Sequence, residues 1–138
     1  MPTHPYTPRL EIYPDRITHN ARAVTALAHA HGAHAAAVCK VTCAHPAVAR
    51  ALQAGGADSL ADSRLQNLRA LTELNLGLPR LLLRLPAPSQ AAEVVRWADC
   101  SLNSSLETLT ALSAAAADAG VTHQVIIMVD VGDLREGV

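Results

Sequence analysis

Short apolar runs alternate along this chain with stretches in which apolar residues recur every three or four positions. Arg9-Leu10-Glu11-Ile12-Tyr13 alternates polar and apolar side chains, the period of a half-buried strand. Pro14-Asp15 breaks it, and Asp15 is a good N-cap for a helix carrying Ile17, Ala21, Val24, Leu27 and Ala28 on one face, ended by Gly32. Ala35 to Val41 is a continuous small and apolar run interrupted only by Lys40, which reads as a buried strand. Pro46 opens the next helix, which stops at Gly55-Gly56; Asp58–Asp62 is a strand. Ser63-Arg64-Leu65-Gln66 has the form of a capping box before the helix of Leu65, Leu68 and Leu71. Arg80–Leu85 predicts a strand closed by Pro86 and Pro88, with Ser89 capping a helix through Val94 and Trp97. A weaker strand at Asp99–Asn103 and a second capping box, Ser104-Ser105-Leu106-Glu107, lead to a helix ending at Gly120. Val125–Val131 is the clearest strand of all.

Strand and helix therefore alternate, which predicts parallel strands with helices on the faces. Repeating units of roughly 20 to 25 residues favour a (β/α)8 barrel over an open sheet. About five strands cannot close a barrel of eight. The expected fold is α/β: the first five or so strands of a TIM-type barrel, one domain over residues 1–138. The most hydrophobic strand has no helix after it to cover it, so the pattern reads as the first part of a longer protein, with a complete smaller fold as the alternative.

Lys40 is the position that changes this from a fold to a site. Lysine is rarely buried without a partner, and the carboxyl end of a strand is where barrels and open α/β sheets place their chemistry. Desolvation there would lower the amine's pKa and make it a nucleophile toward an aldehyde. Alternatively, Lys40 lies one residue past the strand and points into water. No glycine follows in Lys40-Val41-Thr42-Cys43-Ala44, which argues against a dinucleotide fold or a P-loop.

Composition narrows the rest. Half of the 138 residues are hydrophobic and the net charge is −1, which describes a globular chain with no basic face for nucleic acid. No apolar run is long enough to span a membrane, and Met1–Tyr6 lacks the layout of a secretory signal, so a cytoplasmic protein is expected. Phenylalanine is absent, so Ala, Leu, Val and Ile must build the core. Cys39, Cys43 and Cys100 match neither zinc pairs nor a redox motif; Cys39 reads as a small core residue. His29, His31 and His34 span a helix end without sharing a face, so they predict no metal site.

Ala37-Val38-Cys39-Lys40, followed much later by Val129-Asp130-Val131-Gly132-Asp133-Leu134-Arg135-Glu136-Gly137-Val138, resembles the alanine racemase N-terminal family of barrel-type pyridoxal-phosphate enzymes. The segments Leu60–Arg64, Leu83–Pro86 and Ser101–Ser104 are more similar to its ornithine racemase branch than to alanine racemase. The resemblance runs from Pro8 onward. It implies an amino-acid racemase in which Lys40 carries pyridoxal 5'-phosphate as the internal aldimine. The same lysine then acts as acid or base on one face of the substrate's α-carbon in the external aldimine. Arg135 falls at the family arginine near the cofactor's phenolic oxygen and the substrate carboxylate, a role that suits a guanidinium; otherwise it is a solvated loop residue. The resemblance also implies a small-molecule amino-acid partner and a homodimer. Ala44 stands where alanine racemase has a tyrosine, and neither the C-terminal β domain that supplies the second base nor the later phosphate-binding loops are present.

Other positions carry less. Arg84, in an apolar run, either points into the barrel mouth to hold an anion and contact substrate or reaches out beside a helix. Asn103 ends a strand, where it either bonds cofactor or substrate or simply makes a turn. Asp130 is placed to orient Arg135 or to close a loop, and His45, five residues after Lys40, either faces the site or caps the helix. Rival functions on the same scaffold are a D-amino-acid aldolase or dehydratase, a pyridoxal-phosphate carrier or homeostasis protein, and an inactive fragment.

Overall fold

The computed structural model describes residues 8–134 and 136–138. Its elements are α1 (Pro14–Ala30), β1 (Ala36–Val38), α2 (Pro46–Ala54), β2 (Ser59–Asp62), α3 (Leu65–Glu73), β3 (Arg80–Leu82), α4 (Ala91–Trp97), β4 (Cys100–Asn103), α5 (Leu106–Ala119) and β5 (Gln124–Ile127). Single 3-10 turns at Lys40–Thr42 and Pro88–Gln90 follow β1 and precede α4.

The five strands form one parallel sheet in chain order, β1-β2-β3-β4-β5. The register runs Val38 to Ala61, Ala61 to Leu81, Leu81 to Cys100 and Cys100 to Gln124. Consecutive order with a helix in every connection is the pattern of a barrel wall, and the fold is five strands of the expected barrel. Period-two alternation then sorts the side chains. Leu60 and Leu82 lie on the side that packs with Cys39, Leu68, Leu71, Val94 and Leu112 into the main core. Ala61, Leu81, Cys100 and Leu102 take the other side of the sheet. Gly55 marks the tightest helix contact: a Cβ there would lie 2.4 Å from the Ala21 Cβ, so only glycine lets the end of α2 approach α1.

Several expected elements differ. Residues 9–13 form no strand, because no neighbouring strand is within the described residues to hydrogen-bond them. α1 begins at Pro14, whose ring is preorganised for the first helical position, so Asp15 sits in the first turn instead of capping. The proposed Ser63 box is absent: Arg64 is the N-cap residue without a side-chain cap, and Asp62 bonds the Arg64 N–H instead. Ser105, not Ser104, caps α5 by accepting the Thr108 N–H. Ser89 lies inside the 3-10 turn, and Gln90 Oε1 accepts the Ala87 N–H. β1, β3 and β5 stop short of their apolar runs. β5 is a sheet edge with Val125, Ile126 and Ile127 all exposed, and β1 is the other edge.

Candidate active site at the carboxyl end of the first strand

Lys40 is the first residue of the turn after β1. The preceding amide, Cys39 N–H, donates to the Ala61 carbonyl at 2.8 Å, so pairing with β2 continues to the residue before the lysine. The chain then winds about the Cys39 carbonyl, which accepts from the Thr42 and Ala44 amides and the Thr42 hydroxyl. Cys43 and Ala44 both take positive φ, at 49° and 57°, which turns the chain into α2. His45 caps that helix through Nδ1, the second of the two roles the sequence leaves open to it. Lys40 itself is exposed, and Nζ has no hydrogen bond or ion pair among the described residues. Of the two placements the sequence allows, these five strands give the second: they hold the backbone of Lys40 and leave its side chain exposed.

Beneath the turn lies a buried polar group that the sequence pattern did not single out. Asp62, fully buried at the end of β2, accepts from the Arg64 N–H and the Asn67 side-chain amide at 3.0 Å each. Its second oxygen, Oδ2, has no partner among the described residues. Burial, and secondarily the Asp62 charge, pushes the Cys39 thiol up to about 11. Cys39 is thus an inert core thiol, in keeping with its place in an apolar strand.

The remaining predicted residues separate. Asn103 is fully buried at the end of β4 and donates through Nδ2 to the carbonyl and hydroxyl of Ser101 at 2.9 and 3.0 Å. It shares the register side of Leu82, so it faces the sheet–helix layer and not the side of Ala61 and Leu81. Its backbone carbonyl receives the Met128 N–H at 2.8 Å, while its side-chain Oδ1 has no hydrogen-bond partner among the described residues. Arg84 lies past β3, exposed, in a cleft of about 230 Å³ with Ser63, Arg64, Pro86, Gln90 and Glu93. That places it beside the starts of α3 and α4. Asp130 Oδ1 accepts the Gly132 and Leu134 amides, and these bonds, Gly132 first, hold its carboxyl below the usual value. Asp130 therefore closes the loop; Arg135 lies outside the described residues. The Val138 N–H returns to the Met128 carbonyl, folding this loop against the end of β5.

A parallel βα wall in consecutive strand order, with a lysine at the carboxyl end of its first strand, defines a barrel-type protein. Residues 12–138 match the family described as alanine racemase, N-terminal domain, and the chain belongs to that family. It is 41% identical over 130 residues to ornithine racemase of Acetoanaerobium sticklandii, covering 94% of this chain and 36% of that protein. It is 34% identical over 131 residues to lysine racemase of Thermotoga maritima, covering 95% of this chain and 37% of that one. Alanine racemase from Streptomyces coelicolor A3(2) superposes with a TM-score of 0.76 at 27% identity, over 90% of this chain and 34% of that structure. The chain spans little more than a third of the length of these relatives.

The cofactor implied by the family can be tested against the residues present. A primary amine without hydrogen bonds, on a turn fixed by the sheet, is the group an aldehyde cofactor requires, and Lys40 fits it.

Proposed function

We propose that this chain is the lysine-bearing sector of a pyridoxal-phosphate-dependent amino-acid racemase whose substrate is a basic amino acid such as ornithine. The observation that carries the reading is the placement of Lys40 directly after the Cys39–Ala61 rung, in a chain of this family. The identities to ornithine and lysine racemases support the substrate class.

In this reading Lys40 Nζ holds the cofactor covalently and, once substrate displaces it, carries a proton to or from Cα on one face. Bound pyridoxal phosphate supplies an electron sink that acidifies the Cα–H bond. The 3-10 turn fixes the backbone of Lys40, the anchor point from which Nζ reaches the substrate. Arg135 is assigned the substrate carboxylate. The base for the opposite face and the phosphate contacts belong to other parts of such an enzyme, and a homodimer in the cytoplasm is part of the proposal. Among the described residues no helix is long and apolar enough to cross a membrane.

The test is exchange of the Cα proton. Ornithine, lysine and alanine are incubated with the chain and pyridoxal phosphate in D2O and followed by proton NMR. Deuterium is expected to enter ornithine or lysine faster than alanine, and only when Lys40 is present. Equal exchange by Lys40→Ala would overturn the reading, since free cofactor would then account for the chemistry.

A further inference from the structure

The three histidines that end α1 do not act together. His31 turns its Nδ1 back onto the Leu27 carbonyl at 2.8 Å, the local bond of a helix terminus. His29 and His34 instead converge on a residue the sequence places far from them. His29 Nε2 lies 3.0 and 2.9 Å from the two oxygens of Asp58, and His34 Nδ1 lies 3.6 Å from Asp58 Oδ1. The rings meet edge to face at 77°, with centroids 6.4 Å apart. One ligand atom from each residue lies within 4.8 Å of the other two.

Asp58 is held for this position. Its Oδ2 accepts the Ala35 N–H at 2.7 Å while its own N–H donates to the Ala35 carbonyl at 3.0 Å. The carboxylate is thus clamped between the start of β2 and the residue before β1. Those bonds, the Ala35 amide first and His29 next, hold its carboxyl down to about 2. An ion pair with His29 would satisfy this carboxylate and would leave His34 unexplained. The His34 side chain is 88% exposed and its nitrogen is beyond hydrogen-bond range of Oδ1, yet it turns toward an oxygen already served. Two imidazoles and a carboxylate form a donor set for a borderline transition metal, with bonds near 2.0–2.2 Å. Tetrahedral bonds of about that length put neighbouring ligand atoms about 3.4 Å apart, so the three groups need only small side-chain adjustments to close on one ion.

We propose that His29, His34 and Asp58 form a divalent transition-metal site of the zinc type, with water as the fourth ligand. The site lies at the amino ends of β1 and β2, the opposite end of the sheet from Lys40. Features at that end of a barrel serve stability. A bound ion would tie the last turn of α1, the loop into β1 and the start of β2 to one point. Sequence spacing hid the site because its third ligand comes from across the β1–β2 pair.

The experiment titrates the full chain, stripped of metal, with Co2+ and Zn2+ by absorbance and calorimetry, with thermal unfolding in parallel. One equivalent of Co2+ is expected to give tetrahedral d–d bands without a thiolate charge-transfer band, which separates this site from the three cysteines. His34→Ala, an exposed change that spares the fold, should weaken Zn2+ binding at least ten-fold and abolish the Zn2+-induced rise in Tm. Cys43→Ser should change neither. Absence of saturable binding, a thiolate band, or unchanged affinity in His34→Ala would each overturn the assignment. Asp58→Asn is a second variant, with circular dichroism to confirm that the Ala35 clamp survives.

Discussion

The amide of Cys39 bonds the Ala61 carbonyl at 2.8 Å, and the next residue along is Lys40. The lysine therefore leaves the sheet at the last rung between β1 and β2. Its backbone inherits the rigidity of the sheet, while its side chain has no hydrogen bond or ion pair among the described residues.

Asp62 is predicted to matter for folding through α3. Asp62→Ala removes the acceptor of the Arg64 amide and the Asn67 side chain and should cost about 1–2 kcal/mol, the range of a lost helix cap. Urea unfolding of the variant and the parent measures it. The same change removes a negative charge beside Cys39, so its thiol should titrate lower than in the parent.

Thiol labelling distinguishes the cysteines. Cys39 is 1% exposed with its thiol pushed up to about 11, whereas Cys43 is exposed. A maleimide or disulfide reagent near pH 8 should modify Cys43 quickly and Cys39 only when the chain unfolds. Peptide mapping that found Cys39 labelled first would contradict the packing under the Lys40 turn.

Stability should fall in two windows on acidification. Burial holds the His123 pKa below its ordinary 6.5. The unfolded chain then takes up that proton more readily, so stability declines as pH falls below about 6.5. His123→Gln should flatten this window. Asp99 is raised by burial but more strongly lowered by its bonds from Arg80, at Nε, Nη2 and the backbone amide, leaving its carboxyl below 3.8. That contribution is present above pH 3.8 and is lost as pH falls through the lower folded value. Asp99→Asn should shrink the second window, to which Asp58 and Asp130 also contribute, as read by Tm against pH.

Gly137 sits where the chain closes between Asp130 and Val138. A Cβ at Gly137 would lie 2.3 Å from the Asp130 amide nitrogen, and its φ is 150°. Gly137→Ala should leave the global Tm nearly unchanged, because the loop is peripheral, while raising amide exchange at Asp130 and Val138. Unchanged exchange there would mean that the Asp130–Val138 closure does not persist in solution.

The alternation of elements was legible because each helix buries one stripe and each strand an apolar run, and these periods survive in the sequence. The ends were less legible. The apolar runs at Val38–Val41, Leu83–Leu85 and Met128–Val131 continue past the last paired residue, since hydrophobicity does not report where the neighbouring strand stops. Arg9–Tyr13 has a strand's alternation but no partner strand among the described residues. Lys40 was readable as a lone charge in an apolar run. Asp62 and Asp58 were not, because their partners are set by turns and cross-strand pairing: Asp58 meets Ala35 and His29 only once β1 and β2 are side by side. Asn103 was legible as a strand end, open to a turn or a ligand contact, and only the register shows that it shares the side of Leu82.

The central claim is that Lys40 captures pyridoxal phosphate, and trapping tests it most directly. The purified chain is mixed with the cofactor, its visible spectrum recorded, the adduct reduced with borohydride and the modified residue located by peptide mass spectrometry. The account predicts a single saturable adduct on Lys40, absent in Lys40→Ala, whose Tm should stay within about 0.5 kcal/mol equivalent of the parent because the side chain is exposed. Adducts scattered over the amino terminus and other sites, with Lys40 unmodified at saturating cofactor, would contradict it.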